Sequence, residues 1–438
     1  MMKLLLKNGN IIDTEHGGTM RRNTDILIYD GKIQAIGKIS DQADRTIELS
    51  GAYVLPGLIN AHVHLFGEGK PAKALSGGAL QKFLMLVLKT PLGAKIMDKI
   101  IADNVQTQLK SGVTTIRAVG DFCHSDIRVR DKIKAGKLLG PRMLVSGPAI
   151  TVPGGHGDGT FARTAADIPT LLSFVEQNVQ AGVDLIKICV TGGVMDAKEV
   201  GHPGELKMNL QQTKAVCDKA HEFGLRVASH TESEEGLEIA LRGGVDTIEH
   251  GAAISDALLD IYKAHNAAMI VTFSPCVPLA LLPPEITKLD DKATVNTKIV
   301  GQGMIDGARK ALENDVAVGC GTDAACPLCT QYNTWRELQY LSHFCGISPA
   351  EAICTATLRN AQILGIGDLT GSITVGKAAD ILVVKDDPTK DLSSLGDPLY
   401  VLANGNLLEK PKQKKRAQIE QWLDSINLET ADFTEVTL

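Results

Sequence analysis

Four histidines, a lysine and an aspartate stand in short apolar settings from which a metal site could be assembled. His62 and His64 lie two apart in GLINAHVHLF, His230 closes VASH and His250 closes TIEH. Asp323 sits in GTDA, and Lys187 interrupts the apolar run DLIKICV. Imidazoles with carboxylates, in the absence of a cysteine cluster, suit a hydrolytic zinc, manganese or iron site rather than a structural zinc. Each residue also has an ordinary reading. A single His-x-His is a weak signal, His230 or His250 alone could be a satisfied strand-end histidine, and Asp323 could cap a helix. Lys187 could carry its ammonium to water along its aliphatic stem. The coincidence of all six favours a shared site.

As an ammonium, Lys187 offers three donors and no acceptor, so it cannot ligate a metal. Buried unpaired in an apolar strand, the charge is also costly. Desolvation favours the neutral amine, which can take up carbon dioxide. The resulting carbamate (N6-carboxylysine) is an anion with two oxygens and can bridge two cations.

These residues meet only if the chain brings them to one rim. Between residues 58 and 366, eight apolar runs (VLPGLINAHVH, TTIRAVGD, RMLVSGPAI, DLIKICVTGG, RVASHTE, TIEHG, AMIVTFSP and VAVGCGTDA) alternate with amphipathic helical stretches. That order predicts an α/β fold of the (β/α)8 TIM-barrel type, with its site at the C-terminal ends of the strands. A strand's period of two aims His62 and His64 at one face. Strands at residues 3–60 and 371–408 are separated by turn dipeptides such as Asn-Gly and Asp-Gly. The two ends are expected to pair, 1–57 with 367–412, into a small β-sandwich domain, leaving 413–438 as a helical tail. Connections at 66–111 and 276–300 exceed what a barrel unit needs and are expected to shape the site.

The 438 residues are 44% hydrophobic and 22% charged, an ordinary globular composition. A net charge of −6 argues against nucleic acid as a partner. The basic run KPKQKKR reads as a solvated hinge. Nine scattered cysteines suit reduced thiols without disulfides. MMKLLLKNGN is too short for a signal peptide, and no run approaches the roughly 18 apolar residues of a membrane span. A cytoplasmic protein with no membrane partner is expected.

With these motifs in place, the chain resembles the amidohydrolase superfamily in its binuclear-metal form. Within it, TTIRAVGD, GPAITVPGGHGD and GTDAACP are similar to the imidazolonepropionase-like group that contains prolidases and other metallo-dipeptidases. The resemblance implies two divalent metal ions, expected to be zinc. His62, His64 and Asp323 would hold one, His230 and His250 the other, with carbamylated Lys187 and a hydroxide between them. It also implies that Asp323 moves the proton to the leaving amine. His156, in VPGGHGDG, corresponds to a histidine near the scissile group, where it would polarise the carbonyl or the oxyanion.

Some of these dipeptidases carry a tyrosine two residues after the fifth-strand histidine. Here that position is Glu232, on the His230 face by parity, a candidate for a substrate ammonium or else a surface glutamate. Arg117 is a candidate for a substrate carboxylate, with a structural pair to Asp121 as the alternative. His202 lies in TGGVMDAKEVGHPGE, which resembles a mobile loop over the metals. Cys320, Cys326 and Cys329 read as small pocket-lining side chains, because the C-x-x-C has no second pair.

The expected function is metal-dependent hydrolysis of a C–N amide bond. The substrate would be a small molecule: a dipeptide, cut in prolidase-like or carboxypeptidase-like fashion, or an N-acyl amino acid. A cyclic amide such as an imidazolone or lactam is the alternative, and a barrel that kept its fold but lost its chemistry is the non-enzymatic one. A homo-oligomer is expected.

Overall fold

The computed structural model describes residues 3–71, 85–88 and 90–434. The chain opens with strands β1 (Leu4–Asp13), β2 (Thr19–Tyr29), β3 (Lys32–Gly37), β4 (Arg45–Glu48) and β5 (Tyr53–Pro56). The barrel strands follow as β6 (Leu58–Val63), β7 (Val113–Ala118), β8 (Arg142–Val145) and β9 (Ala149–Thr151), with β10 (Ala162–Thr164) flanking them. They continue as β11 (Ile186–Cys189), β12 (Val227–Thr231), β13 (Thr247–His250), β14 (Ala268–Val271) and β15 (Val318–Cys320). Strands β16 (Ile381–Val384), β17 (Tyr400–Ala403) and β18 (Asn406–Glu409) complete the set.

Both chain ends build one eight-stranded sheet, in the order β18-β17-β16-β5-β1-β2-β3 with β4 on β1. Strand β16 lies antiparallel to β5, pairing Leu382 with Leu55. This sheet covers its own core, which includes Leu4, Leu6, Ile26, Ile33, Val54, Ile381 and Val383.

The third barrel strand is broken. Its first half, β8, pairs with β7, whereas β9 pairs with β11. The interruption at Ser146-Gly147-Pro148 follows from local chemistry, since Pro148 has no amide hydrogen and Gly147 takes φ +63°. Along the intact strands, alternate residues such as Ile186 and Ile188 pack into the main core shared with the helices. Lys187, between them, has the opposite parity and points into the barrel.

Closure joins β6 to the end of β15. The His62 carbonyl accepts hydrogen bonds from the amides of Thr322 and Asp323 at 3.0 and 2.9 Å, and the His64 amide donates to the Ala324 carbonyl at 3.0 Å. Asn360, from the helical segment after the barrel, clasps the same seam. Its amide donates to the carbonyls of Ile59 and Cys320 at 2.7 and 2.8 Å, and its oxygen accepts from the Cys320 amide at 3.0 Å.

The segment 276–300 is largely helical rather than a loop, spanning the helices Phe273–Leu281 and Pro284–Thr287 and the start of Asp291–Glu313. Of the segment 66–111, residues 72–84 and 89 lie outside the described residues; the helix Pro91–Lys110 occupies its C-terminal part. Among the described residues no helix is long and apolar enough to cross a membrane, and all nine cysteines are free thiols.

Asn360→Ala would strand buried backbone groups on both closing strands. We expect a stability loss of about 3 kcal/mol, read as a lower urea midpoint with an unchanged slope.

Candidate metal centre

The strand ends bring His62, His64, His230, His250 and Asp323 to one mouth, together with Glu232. Successive imidazoles lie side by side, with ring centroids 5.6 Å apart for His64 and His62, 4.8 Å for His62 and His250, and 4.7 Å for His250 and His230. Their ligand atoms fall into two trios that could each hold a metal ion, His62–His64–Asp323 and His230–Glu232–His250.

Hydrogen bonding at the far side of the rings decides what the near side offers. His62 Nδ1 donates to Glu249 Oε2 at 2.7 Å, and His64 Nδ1 donates to the Gly120 carbonyl at 3.0 Å. Burial pushes the His64 imidazolium down to about 4, so the ring is neutral at neutral pH. Nε2 of His64 is therefore a lone pair, and Nε2 of His62 turns to the same side. Both nitrogens face Asp323 Oδ1, at 3.5 Å from His62 and 3.3 Å from His64. Donors on one tetrahedral zinc, each about 2.0–2.1 Å from it, stand about 3.4 Å apart. Two imidazole nitrogens and a carboxylate oxygen at that spacing match the donors of one metal ion. His62 Nε2, Lys187 Nζ, His230 Nε2, Glu232 Oε2 and Asp323 Oδ1 are all buried without a hydrogen-bond partner. This donor set fits metal ions.

Lys187 is only 2% exposed, so it does not snorkel to water. Burial lowers its ammonium from the ordinary range despite the carboxylates of Glu249 and Asp323. Burial likewise drives His230 and His250 well below the usual histidine range. His250 Nδ1 is held by Thr272 Oγ1 at 2.7 Å. His250 and Asp323 both take left-handed backbone angles, φ 66° and 50°, a strain that turns their side chains from the strand direction.

Arg117 corrects the sequence-based expectation. It pairs with Glu249, not Asp121, and its guanidinium is committed inside the barrel rather than open to a substrate carboxylate. Its Nε donates to the Ala61 carbonyl at 2.6 Å, Nη1 to Thr247 Oγ1 at 2.9 Å, and Nη2 to both Glu249 oxygens at 2.7 and 2.8 Å. Burial opposes the Glu249 charge, but Arg117 and His62 hold its carboxyl well below the ordinary carboxylate range. Glu249 was missed in the sequence, although it immediately precedes His250; the parity it shares with Thr247 was the available signal.

Two loops complete the mouth. His156 Nδ1 contacts Asp196 Oδ2 at 2.6 Å, and its ring stacks on His230 at 4.0 Å and 10°. Burial disfavours the His156 charge, but Asp196 reverses this and raises its pKa. Phe161 lies 5.0 Å from His64 and 5.4 Å from His156, and Phe66 packs against Phe122 at 4.8 Å, forming an aromatic wall on that side. Glu232 also borders the mouth, with Oε1 4.0 Å from His230 Nε2 and its side chain 10% exposed. Burial pushes its carboxyl up to about 8, against the pull of His156.

The loop carrying His202 is fastened to the helix Asp291–Glu313. Asn296 Oδ1 accepts from the Gly201 amide at 2.8 Å, and Lys292 Nζ donates to the Ala197 carbonyl at 2.8 Å. His202 is exposed on that loop and belongs to neither trio. Cys326 is more than a small wall residue, since its thiol donates to Asp323 Oδ2 at 3.3 Å. Cys320 and Cys329 are buried.

Glu249→Gln would weaken the bond that fixes the His62 tautomer. A fall in metal affinity of roughly 10–100-fold is expected, measured by chelator competition.

Residues 53–408 match the model of the amidohydrolase family. The crystal structure of a candidate prolidase from Bifidobacterium longum is similar at a TM-score of 0.84 and 37% identity, over 97% of this chain and 98% of that one. A Xaa-Pro dipeptidase with methionine bound in its active site is similar at a TM-score of 0.80 and 31% identity, over 93% and 100%. The imidazolonepropionase of Kosmotoga olearia is 25% identical over 382 residues, 84% of this chain and 85% of that enzyme. A family match over most of the chain, together with a mouth built for cations, makes this protein a member of the amidohydrolase family and a metal-dependent hydrolase.

Proposed function

We propose that the protein hydrolyses the C–N amide bond of a dipeptide, in prolidase-like or carboxypeptidase-like fashion, or of an N-acyl amino acid. His62, His64 and Asp323 would hold one divalent cation, expected to be zinc, and His230 and His250 a second, with carbamylated Lys187 shared between them. The single observation that carries this reading is the ligand cluster, in which Asp323 Oδ1 faces two imidazole nitrogens at 3.5 and 3.3 Å. The buried, unpartnered Lys187 amine supports the carbamate, because the neutral amine is the form that reacts with carbon dioxide.

When bound, such cations acidify a water and polarise a carbonyl. The remaining work falls to the chain's own groups. Asp323 accepts a proton from the attacking water and delivers it to the departing nitrogen, so that amide and water become a carboxylic acid and an amine, which at neutral pH are carboxylate and ammonium. The Cys326 thiol on Oδ2 leaves Oδ1 as the oxygen directed into the mouth. With Nδ1 of His156 engaged by Asp196, Nε2 is the nitrogen available to stabilise charge developing on the carbonyl oxygen. The likeness to imidazolonepropionase favours a second reading, hydrolysis of a cyclic amide.

Elemental analysis of protein from metal-supplemented cells should give two metals per chain; substantially less than two would refute the binuclear assignment. Lys187→Ala should lose metal and activity together, with short carboxylic acids restoring part of both. Full activity in that variant would dispose of the carbamate. A screen of dipeptides, N-acyl amino acids and lactams, read by amine release from zinc-replete protein, separates the linear from the cyclic reading. Silence across all three classes would favour the scaffold.

A further inference from the structure

Glu232 carries an open carboxyl oxygen at the edge of the candidate metal centre. Its Oε2 is buried and makes no hydrogen bond, and its side chain is nine-tenths covered. The backbone at this point is fixed, because the Glu232 amide donates to Thr191 Oγ1 at 3.1 Å. The neighbouring basic group, His156, is already engaged by Asp196 at 2.6 Å. A buried acid with an open oxygen is satisfied best by a cationic donor brought from outside the chain.

Distance narrows what that cation is. Oε1 stands 4.0 Å from His230 Nε2, wider than the about 3.4 Å expected of two donors on one tetrahedral zinc. Both trio members that face each other across the first site are closer, at 3.3 and 3.5 Å. Glu232 nevertheless lies within 4.8 Å of the ligand atoms of both His230 and His250. The cation it meets must therefore sit within a few ångströms of the reacting carbonyl. In a dipeptide with a free N-terminus, the α-nitrogen is two bonds from the scissile carbonyl carbon, about 2.5 Å away. A lysine or arginine side-chain cation lies several bonds further, and an N-acyl amino acid has no cation at this place.

We infer that Glu232 anchors the α-ammonium of the substrate, which makes the substrate a dipeptide with an unblocked N-terminus rather than an N-acyl amino acid. This rests on the amide-hydrolase reading above and sharpens its substrate class.

The test compares zinc-loaded wild-type protein with Glu232→Gln on alanyl-proline and alanyl-alanine, each beside its propionyl analogue, which lacks only the amine. Release of the C-terminal amino acid is read. Wild type should favour the alanyl form by roughly 100-fold in kcat/KM, and Glu232→Gln should collapse that ratio towards one, mainly through KM. Calorimetry with methionine and 4-methylthiobutanoate gives a readout independent of turnover, with the wild-type preference for methionine lost in the variant. Equal wild-type rates on the two series, or a preference that survives in Glu232→Gln, would overturn the anchor and leave the amide-hydrolase reading standing. Loss of one metal per chain from Glu232→Gln would overturn it by making Glu232 a ligand. If neither series is cleaved, and the wider screen is also silent, the amide-hydrolase reading falls and the anchor falls with it.

Discussion

The architecture depends on how closely the first and last barrel strands approach. A side chain at residue 321 would place its Cβ 2.3 Å from the Cβ of His62 and 2.4 Å from its amide nitrogen, so only glycine permits the seam. Because the His62 carbonyl then accepts from both Thr322 and Asp323, the chain turns sharply and Asp323 takes its left-handed conformation. Barrel closure and the His62–Asp323 spacing are thus one constraint. The rim gathers buried polar atoms without hydrogen-bond partners, an arrangement that opposes folding. Cations bound there would offset that cost and so couple metal binding to folding stability.

Beneath the rim, the barrel interior holds an ion pair where many barrels hold only aliphatic layers. Arg117 and Glu249 connect the second and sixth strands, and Glu249 reaches the first through His62. Removing one partner would leave a buried charge, which is far costlier than never having the pair. The pair conveys position from the barrel interior to the ring nitrogen that faces the mouth, so the orientation of His62 is set by residues that touch no substrate.

Much of this was legible in the sequence because strands and helices carry different periods. The alternation of eight apolar runs with amphipathic segments specified the barrel, a period of two put His62 beside His64, and the cost of an unpaired ammonium in an apolar run singled out Lys187. Strand-end positions then gathered His230, His250 and Asp323. What stayed hidden depends on three-dimensional contacts with no local signature. Arg117 and Glu249 are 132 positions apart, and nearby Asp121 looked the more natural partner. The φ angles of His250 and Asp323 belong to the closed barrel. The proline-bearing connection 276–300 gave no sign of its helices, since Pro275 and Pro284 sit in first turns and Pro278 lies inside one, where propensity alone misleads. The split of the third strand required knowing which neighbour each half would choose.

The composite sheet carries a consequence for synthesis. Strand β5 finds one of its two neighbours, β1, within the first residues made, but the other is β16, at Ile381–Val384. While the barrel emerges from the ribosome, Val54 and Leu55 present an unpaired, apolar edge. That edge is capped only when almost the whole chain exists. Premature termination anywhere in the barrel therefore yields a sticky fragment rather than a smaller enzyme, and the burden of keeping nascent chains apart falls on their handling during translation.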